Sequence, residues 1–553
     1  MDPSSTLSLL VAVLLVASCS AHNTKLQYHL FSDSIVINTP QGQHSHLPPS
    51  PMLFVFPMDA TVQDAGNAVS SQGDFSATLF GVPVDNSWSL KWFLSQYGRK
   101  EIIFHPETKY ELVASIFPAA QKIDFKKLLT DPHVIELSRR YHDNLRKTTR
   151  EYPHTDEELL ADGIEQAIIW AAIFVTHHWG KLHKFPAWKD FNQTGLFHLS
   201  TGQQLSHTGQ PSGSDDDEVR IALTSDWGAG TYEAAIVATQ MTEKFSPHWT
   251  LHIGDVYLLG VPEEVKTNCL GQPAPHSEKG VQWPSGSIGS FAFNGNHEMY
   301  SRGYGYFDNF LPTLGVPNVS PQRASYVALE NKYWRVIGLD TGYGSYSALI
   351  NSPDTSQQAA VVEWLKNEVN LGDPNDKRGI VLLSHHQFLS AFESKIKYTA
   401  EQIAAILPPG RTLLWLWGHE HRLAFYKPGT VDGIPLNVYG RCVGVGGYPV
   451  SLGSIPPDAK SAGLLAYDDR YLHTVEGLVP MRKGFNGFLH MTLQKASLSL
   501  AYYSLTADPS NPNVYTNDPT LLVTETFQVD GAGSLQQTAF TIVNKNMTVV
   551  QYM

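Results

Sequence analysis

Five short polar blocks between Asp226 and His421, each just past an apolar run, restrict this chain more than any other feature does. They read Asp226-Trp227-Gly228, Gly254-Asp255-Val256-Tyr257, Gly295-Asn296-His297-Glu298, Ser384-His385-His386 and Gly418-His419-Glu420-His421. The preceding runs are Ile221-Ala222-Leu223, Thr250-Leu251-His252-Ile253, Phe291-Ala292-Phe293, Ile380-Val381-Leu382-Leu383 and Leu413-Leu414-Trp415-Leu416-Trp417, and they are strand-like. Oxygen and imidazole donors are therefore expected just beyond the carboxyl ends of strands, where sheets with parallel strands build their sites. Two carboxylates, one amide and three imidazoles form a mixed O/N set that suits hard-to-borderline divalent or trivalent metals, not a soft thiolate site.

In block order the sequence resembles the calcineurin-like metallophosphoesterases, and among them the purple acid phosphatase branch. The resemblance spans about residues 219 to 505. It implies an α/β fold of two facing mixed sheets flanked by helices. It also implies two metal ions, with iron, zinc or manganese the expected elements. By the same resemblance Asp255 bridges the two ions, while Asp226 and His421 serve the first and Asn296, His385 and His419 the second. In an extended His-x-His, side chains two apart share a side, so His419 and His421 would both reach one centre. His297 is expected to assist the leaving group and Glu298 to orient it. His386 is expected to face away from the ligands, and it and Asp340, after the run Trp334–Leu339, are read as outer supports. Arg302 is either a phosphate clamp or a surface packing residue.

One departure from the family pattern stands out. Many relatives carry His where this chain has Gly228, and the purple acid phosphatases carry Tyr where this chain has Leu258. Tyr257 is one residue early. It shares strand parity with Asp255 and is the one further metal-ligand candidate, against a packing role for its ring. No iron–tyrosinate colour is expected on this reading. The implied reaction is hydrolysis of a small phosphate ester, monoester or diester, by a water acidified between the ions. The competing reading is a secreted, metal-stabilised binding protein with weak or no catalysis.

The chain has 553 residues, more than one core accommodates, and 42% are hydrophobic. With 39 basic against 52 acidic residues, its formal charge of −13 argues against a nucleic-acid-binding surface. Leu7–Ala17 has the length of a signal-peptide core and is too short to span a bilayer, although Met1-Asp2-Pro3 lacks the usual basic residue. Residues 1–21 are thus read as a signal peptide, and the protein as extracellular or periplasmic. Val16-Ala17-Ser18-Cys19 also has the form of a lipoprotein cleavage box, with Cys19 as the anchor. No later run is long and apolar enough for a membrane span. Cys269 and Cys442 could pair or both stay free.

Residues 22–205 read as a separate α+β accessory domain, β-rich to about residue 116 and helical after Ala119. His177, His178 and His183 there are read as packed or solvated histidines, not as a metal site. Residues 206–218, with Gly209–Ser214 ahead of an acidic run, read as a linker. The catalytic domain is expected over 219–505, with a C-terminal strand extension over 506–553.

Overall fold

The apolar runs ahead of the five blocks are strands in the computed structural model. It describes residues 151–152, 181–206, 217–274, 277–345, 355–431, 433–452, 459, 462–475 and 481–550, and the backbone of six earlier strands. The chain divides into one unit of residues 1–143 and 164–176 and a second of residues 144–163 and 177–553. In the first, β1 (Ile35–Asn38), β2 (Leu53–Phe56), β3 (Phe75–Leu79), β4 (Val82–Val84), β5 (Lys100–Pro106) and β6 (Leu112–Ile116) form an antiparallel sheet in the order β2-β1-β6-β5-β3-β4. The expected signal segment, the helical stretch after Ala119, and His177 and His178 lie outside the described residues.

The second unit begins with β7 (Leu196–His198), β8 (Val219–Thr224), α1 (Tyr232–Glu243), β9 (Trp249–His252), α2 (Pro262–Asn268), β10 (Gly289–Ala292) and α3 (Asn296–Tyr300). It continues through β11 (Gly315–Val316), β12 (Ser320–Pro321), β13 (Val327–Glu330), β14 (Trp334–Gly338), α4 (Ala359–Asn367), β15 (Gly379–Ser384), α5 (Tyr398–Ala404) and β16 (Thr412–Trp417). Then come β17 (Leu423–Tyr426), β18 (Gly429–Val431), β19 (Ile434–Val443), β20 (Ser451–Leu452), β21 (Leu464–Tyr467), β22 (His473–Val475) and β23 (Met481–Lys483). The last are β24 (Gly487–Gln494), β25 (Ser497–Ser504), β26 (Ala507–Asp508), β27 (Asn511–Tyr515), β28 (Thr520–Val529), β29 (Leu535–Ile542) and β30 (Thr548–Val549).

Two mixed sheets carry this unit. The first runs β12-β11-β10-β9-β8-β24-β25-β28-β29, with β10, β9 and β8 parallel. The second runs β30-β21-β17-β19-β16-β15-β14-β13-β7, with β14, β15, β16 and β19 parallel. The alternation of side chains along a strand explains the layering. Val219, Ile221 and Leu223 of β8 join one buried cluster with Val336, Val381, Leu414 and Leu416 of the second sheet. Ala222, between them, points the other way and packs with Ala234, Val237 and Met241 of α1. Five of these parallel strands, β8, β9, β10, β15 and β16, lead into the polar blocks, so the ligand-bearing loops are ones that leave a buried sheet.

The expected domain limits shift. Strand β7, placed by sequence in the accessory domain, pairs parallel with β13 in the second sheet. Strands β28 and β29, within the expected C-terminal strand extension, pair onto β25 and continue the first sheet. The placement of β7 has a plain cause: a run of three residues that looks marginal alone finds a partner far away in sequence. Cys269 and Cys442 are both free and buried. His183 stacks on Phe307 at 4.8 Å and lies 3.2 Å from Asp308 Oδ1, the packing role expected of it.

A buried ion pair ties the two sheets together. Arg441 on β19 donates Nε to Glu525 Oε1 at 2.8 Å and Nη2 to Oε2 at 2.5 Å, and both side chains are fully buried. Tyr502 and Gln537 also donate to Glu525, and Arg441 Nη1 donates to the Tyr426 carbonyl at 2.7 Å. Such a pair is costly to desolvate but costlier to break, because one charge is then stranded. Glu525→Gln is expected to lower unfolding stability by about 3–5 kcal/mol. The double variant Arg441→Met/Glu525→Leu should cost markedly less. Urea unfolding midpoints for the three proteins check this.

Candidate metal centre

Five separate loops bring the block residues together. Asp226 and Asp255 are fully buried, as is His385, while His421 and His419 keep about a quarter of their side chains exposed. Asp255 is the hub. Its Oδ1 accepts the His297 backbone N–H at 3.1 Å, and its Oδ2 lies 3.2 Å from His385 Nε2 and 3.0 Å from the Tyr257 hydroxyl. His385 Nε2 is also 3.2 Å from Asn296 Oδ1. On the other side, His421 Nε2 lies 3.3 Å from Asp226 Oδ1. His419 sits on the His385 side, the two ring centroids 5.2 Å apart, and its backbone N–H donates to Asp226 Oδ2 at 2.9 Å.

Tyr257, one residue before the position of Leu258, points into the donor group. Its hydroxyl lies 2.7 Å from Asp226 Oδ1 and 2.9 Å from His421 Nε2, in addition to its contact with Asp255. The phenol oxygen therefore occupies the middle of the Asp226–Asp255–His421 group. Tyr448 stacks on the Tyr257 ring at 4.0 Å and fixes its plane. Gly228 is required for a separate reason: a Cβ there would lie 2.8 Å from the Asp255 carbonyl oxygen and 2.9 Å from Val256 Cα. That close approach lets Gly228 N–H donate to the Asp255 carbonyl and Tyr257 N–H to the Gly228 carbonyl, clipping the first two loops together.

Backbone conformation concentrates strain here. Asp226 (φ 60), Asp255 (φ 77), His419 (φ 66) and His421 (φ 44) all lie in the left-handed region. Each such non-glycine residue costs on the order of 1–3 kcal/mol and persists only where its surroundings hold it. The two histidines consequently reach the centre from a turn and not from the extended His-x-His expected above. Glu420, between them, turns down to accept from Ser390 Oγ at 2.5 Å and Trp417 Nε1 at 2.8 Å.

Other expectations are revised. Glu298 does not orient the His297 ring. Its Oε2 accepts the backbone N–H groups of Gly295 at 3.0 Å and Asp255 at 3.2 Å, so it holds the loops that carry the donors. The His297 ring is held instead by Nδ1 against the Leu258 carbonyl at 2.6 Å, with Nε2 3.8 Å from Asp255 Oδ2. Asp340 touches no block donor. It accepts from Gly342 and Tyr343 N–H at 2.9 and 2.8 Å, from Ser325 Oγ and from Asn294 Nδ2, and so braces the loop two residues before Asn296. His386 does not face away: its ring centroid lies 4.6 Å from that of His419 and 5.0 Å from that of His385. Sequence reading missed Glu393, whose Oε2 lies 4.0 Å from His419 Nε2. It stands in an irregular loop with no motif to mark it.

Electrostatics match a cation-holding centre. Burial alone would raise the Asp226 carboxyl. The His421 hydrogen bond and the charges of His385 and His421 overcome this and bring it to about 2. Burial would likewise depress His385, but the Asp255 carboxylate beside it, with Asp226 and Glu298, pushes it up to about 10. His385 Nδ1 meets the Ile253 carbonyl at 2.9 Å, which leaves Nε2 facing two oxygen atoms. Only a proton or a metal cation reconciles that nitrogen with two acceptors. An imidazole anchored through Nδ1 to a carbonyl is also how metal-ligating histidines are oriented. The donor set Asp226, Asp255 and His385 offers one atom each within 4.8 Å of one another, and so does the set His385, His386 and His419. The residues present therefore fit bound metal.

Gly295 gives a direct test of this geometry. A Cβ there would lie 2.2 Å from Asp255 Oδ1. Gly295→Ala is expected to displace the Asp255 carboxylate and reduce bound metal by at least about tenfold in affinity, with the fold retained. Elemental analysis after dialysis, beside circular dichroism, reads both.

The sequence matches the calcineurin-like phosphoesterase family model over residues 219–423. No curated protein matches it. Among solved structures, one titled "Structure of PhoD" is similar at 11% identity, covering 61% of this chain and 74% of that one, with a TM-score of 0.37. GAP50, the anchor in the inner membrane complex of Plasmodium, is similar at 10% identity over 52% of this chain and 84% of that one, with a TM-score of 0.31. Vacuolar protein sorting 29 from Cryptosporidium parvum is similar at 11% identity, covering 57% of this chain and 100% of that one, with a TM-score of 0.22. The family match and the ordered blocks agree: within the second unit, residues 219–423 carry a calcineurin-like phosphoesterase match.

Proposed function

We propose that this domain hydrolyses small phosphate esters at a dinuclear metal centre. The observation that carries the reading is the convergence of Asp226, Asp255, Asn296, His385, His419 and His421 from five loops onto one buried spot, with Asp255 between its two halves. Asp226, His421 and Tyr257 would hold one ion, and Asn296, His385 and His419 the other, with Asp255 shared. Two such ions would neutralise phosphate charge and acidify a water. Iron, zinc and manganese all suit the donors.

The chain's own residues supply the rest. His297 donates Nδ1–H to the Leu258 carbonyl, so Nε2 is the atom that faces a leaving oxygen; it gives a proton there from the imidazolium form, which burial disfavours and the Asp255 carboxylate favours. Packing against Tyr257 at 4.4 Å and Tyr300 at 4.9 Å holds that ring in place. Glu298 fixes the Gly295 and Asp255 backbones and so holds the shared carboxylate in register. Low exposure of the carboxylates excludes water and strengthens each interaction with a phosphate. Tyr257 also supports the purple acid phosphatase branch, since it puts a phenol oxygen among Asp226, Asp255 and His421 although its place in the sequence is shifted. The missing fourth ligand was the ground for a non-catalytic binding protein; the place of the Tyr257 phenol among Asp226, Asp255 and His421 favours the hydrolase over that reading. Among the described residues no helix is long and apolar enough to cross a membrane.

Purified protein is expected to release p-nitrophenol from p-nitrophenyl phosphate or its bis ester, and to lose this with a strong chelator. Asp255→Asn should abolish turnover. His297→Ala should lower kcat by about 100-fold or more. Equal background rates in wild type and both variants would rule out the hydrolase. From the sequence no iron–tyrosinate colour is expected; with Tyr257 among the donors that expectation is reversed, and loading with ferric iron should give a visible phenolate charge-transfer band, absent in Tyr257→Phe. A colourless wild type would remove Tyr257 from the ligand set.

A further inference from the structure

His386 is the one block histidine to which the reading above gives no chemical task. It is 3% exposed, and its Nε2 is buried with no hydrogen-bond partner among the described residues. An unpaired buried polar atom costs about 1–3 kcal/mol, so its orientation calls for a cause. The other side of the ring is well anchored. Thr341 Oγ1 accepts the His386 backbone N–H at 3.0 Å and meets ring Nδ1 at 3.1 Å. Thr341 is itself steadied by the turn that Asp340 ties to Gly342 and Tyr343. With Nδ1–H donating to the threonine oxygen, the lone pair rests on Nε2, the form that binds metal. One ring nitrogen each from His385, His386 and His419 lies within 4.8 Å of the others.

We propose that His386 is a third imidazole ligand on the His385–His419 side, giving that half of the centre a nitrogen-rich set that favours Zn²⁺ over Mn²⁺. The proposal rests on the dinuclear reading above. Imidazole suits zinc, whereas manganese prefers carboxylate, carbonyl and water oxygens. Three neutral imidazoles also add no negative charge, so the ion there keeps more positive charge to offer an anionic substrate. His252 is also buried with an unpaired Nε2, but among the described residues only His386 combines this with a place beside the His385 and His419 imidazoles.

The test strips the full-length protein of metal and titrates it with Zn²⁺, then Mn²⁺, against a chromophoric chelator. Wild type should bind two zinc ions. His386→Ala should weaken one zinc site by on the order of 10–100-fold and change manganese affinity far less. His386→Gln, which keeps bulk and polarity, should not restore zinc affinity. Two zinc sites of unchanged affinity in both variants would overturn the proposal and leave the hydrolase reading intact. Wild type that takes up no metal would overturn both. A measurement on wild type needs no variant to fold: with ¹⁵N-histidine and ¹¹³Cd²⁺, cadmium coupling is expected at four ring nitrogens, from His385, His386, His419 and His421. Coupling at only three would overturn the proposal.

Discussion

Every donor in the centre is held, directly or through one neighbour, by Asp255. Its carboxylate is fully buried and touches His385 and Tyr257 through one oxygen and the His297 backbone through the other. Its backbone carbonyl accepts from Gly228, and its N–H donates to Glu298. An isolated buried carboxylate would protonate to escape the desolvation cost. Here burial does raise Asp255, but the charges of His385, His297 and His419 hold it well below the usual carboxylate range. An ionised group at this depth needs a cation or donors close by, and the raised His385 imidazole, the His297 backbone N–H and the Tyr257 hydroxyl supply them.

That arrangement draws on the stability of the sandwich. Four block residues occupy left-handed backbone, a cost the loops could not bear alone. Each loop leaves a strand buried in one of two large sheets, so its first residue is placed by the strand and not by the loop. The Arg441–Glu525 pair between the sheets limits how far those strand ends can move relative to one another. Rigidity in the layers thus becomes precision at the loops, which is what a site built from many separate segments requires.

Much of this was legible from the residues alone. Apolar runs followed by donors marked the strand ends, because burial on both faces leaves an unbroken hydrophobic signature. Donor chemistry and block order pointed to Asp226, Asp255, Asn296, His385, His419 and His421, and the fold brings these side chains together. What went unread depended on direction more than identity. Glu298 turned to backbone N–H groups and not to the His297 ring. His386 turned inward, where strand parity had pointed it out, because Thr341 captures its ring and its backbone N–H together.

The sequence by itself determined the chemistry of the centre: which atoms could bind metal, and that they would stand at the ends of parallel strands. Local patterning carries that information, since hydrophobic runs and donor residues are adjacent in the chain. Tertiary structure decided which donors share a side, that Tyr257 reaches the Asp226–His421 group from a shifted position, and that β7, β28 and β29 belong to the sheets. These outcomes depend on left-handed turns, strand partners distant in the chain and the packing of Tyr448 on Tyr257. Such contacts arise only when remote segments meet, and no periodicity within one segment encodes them.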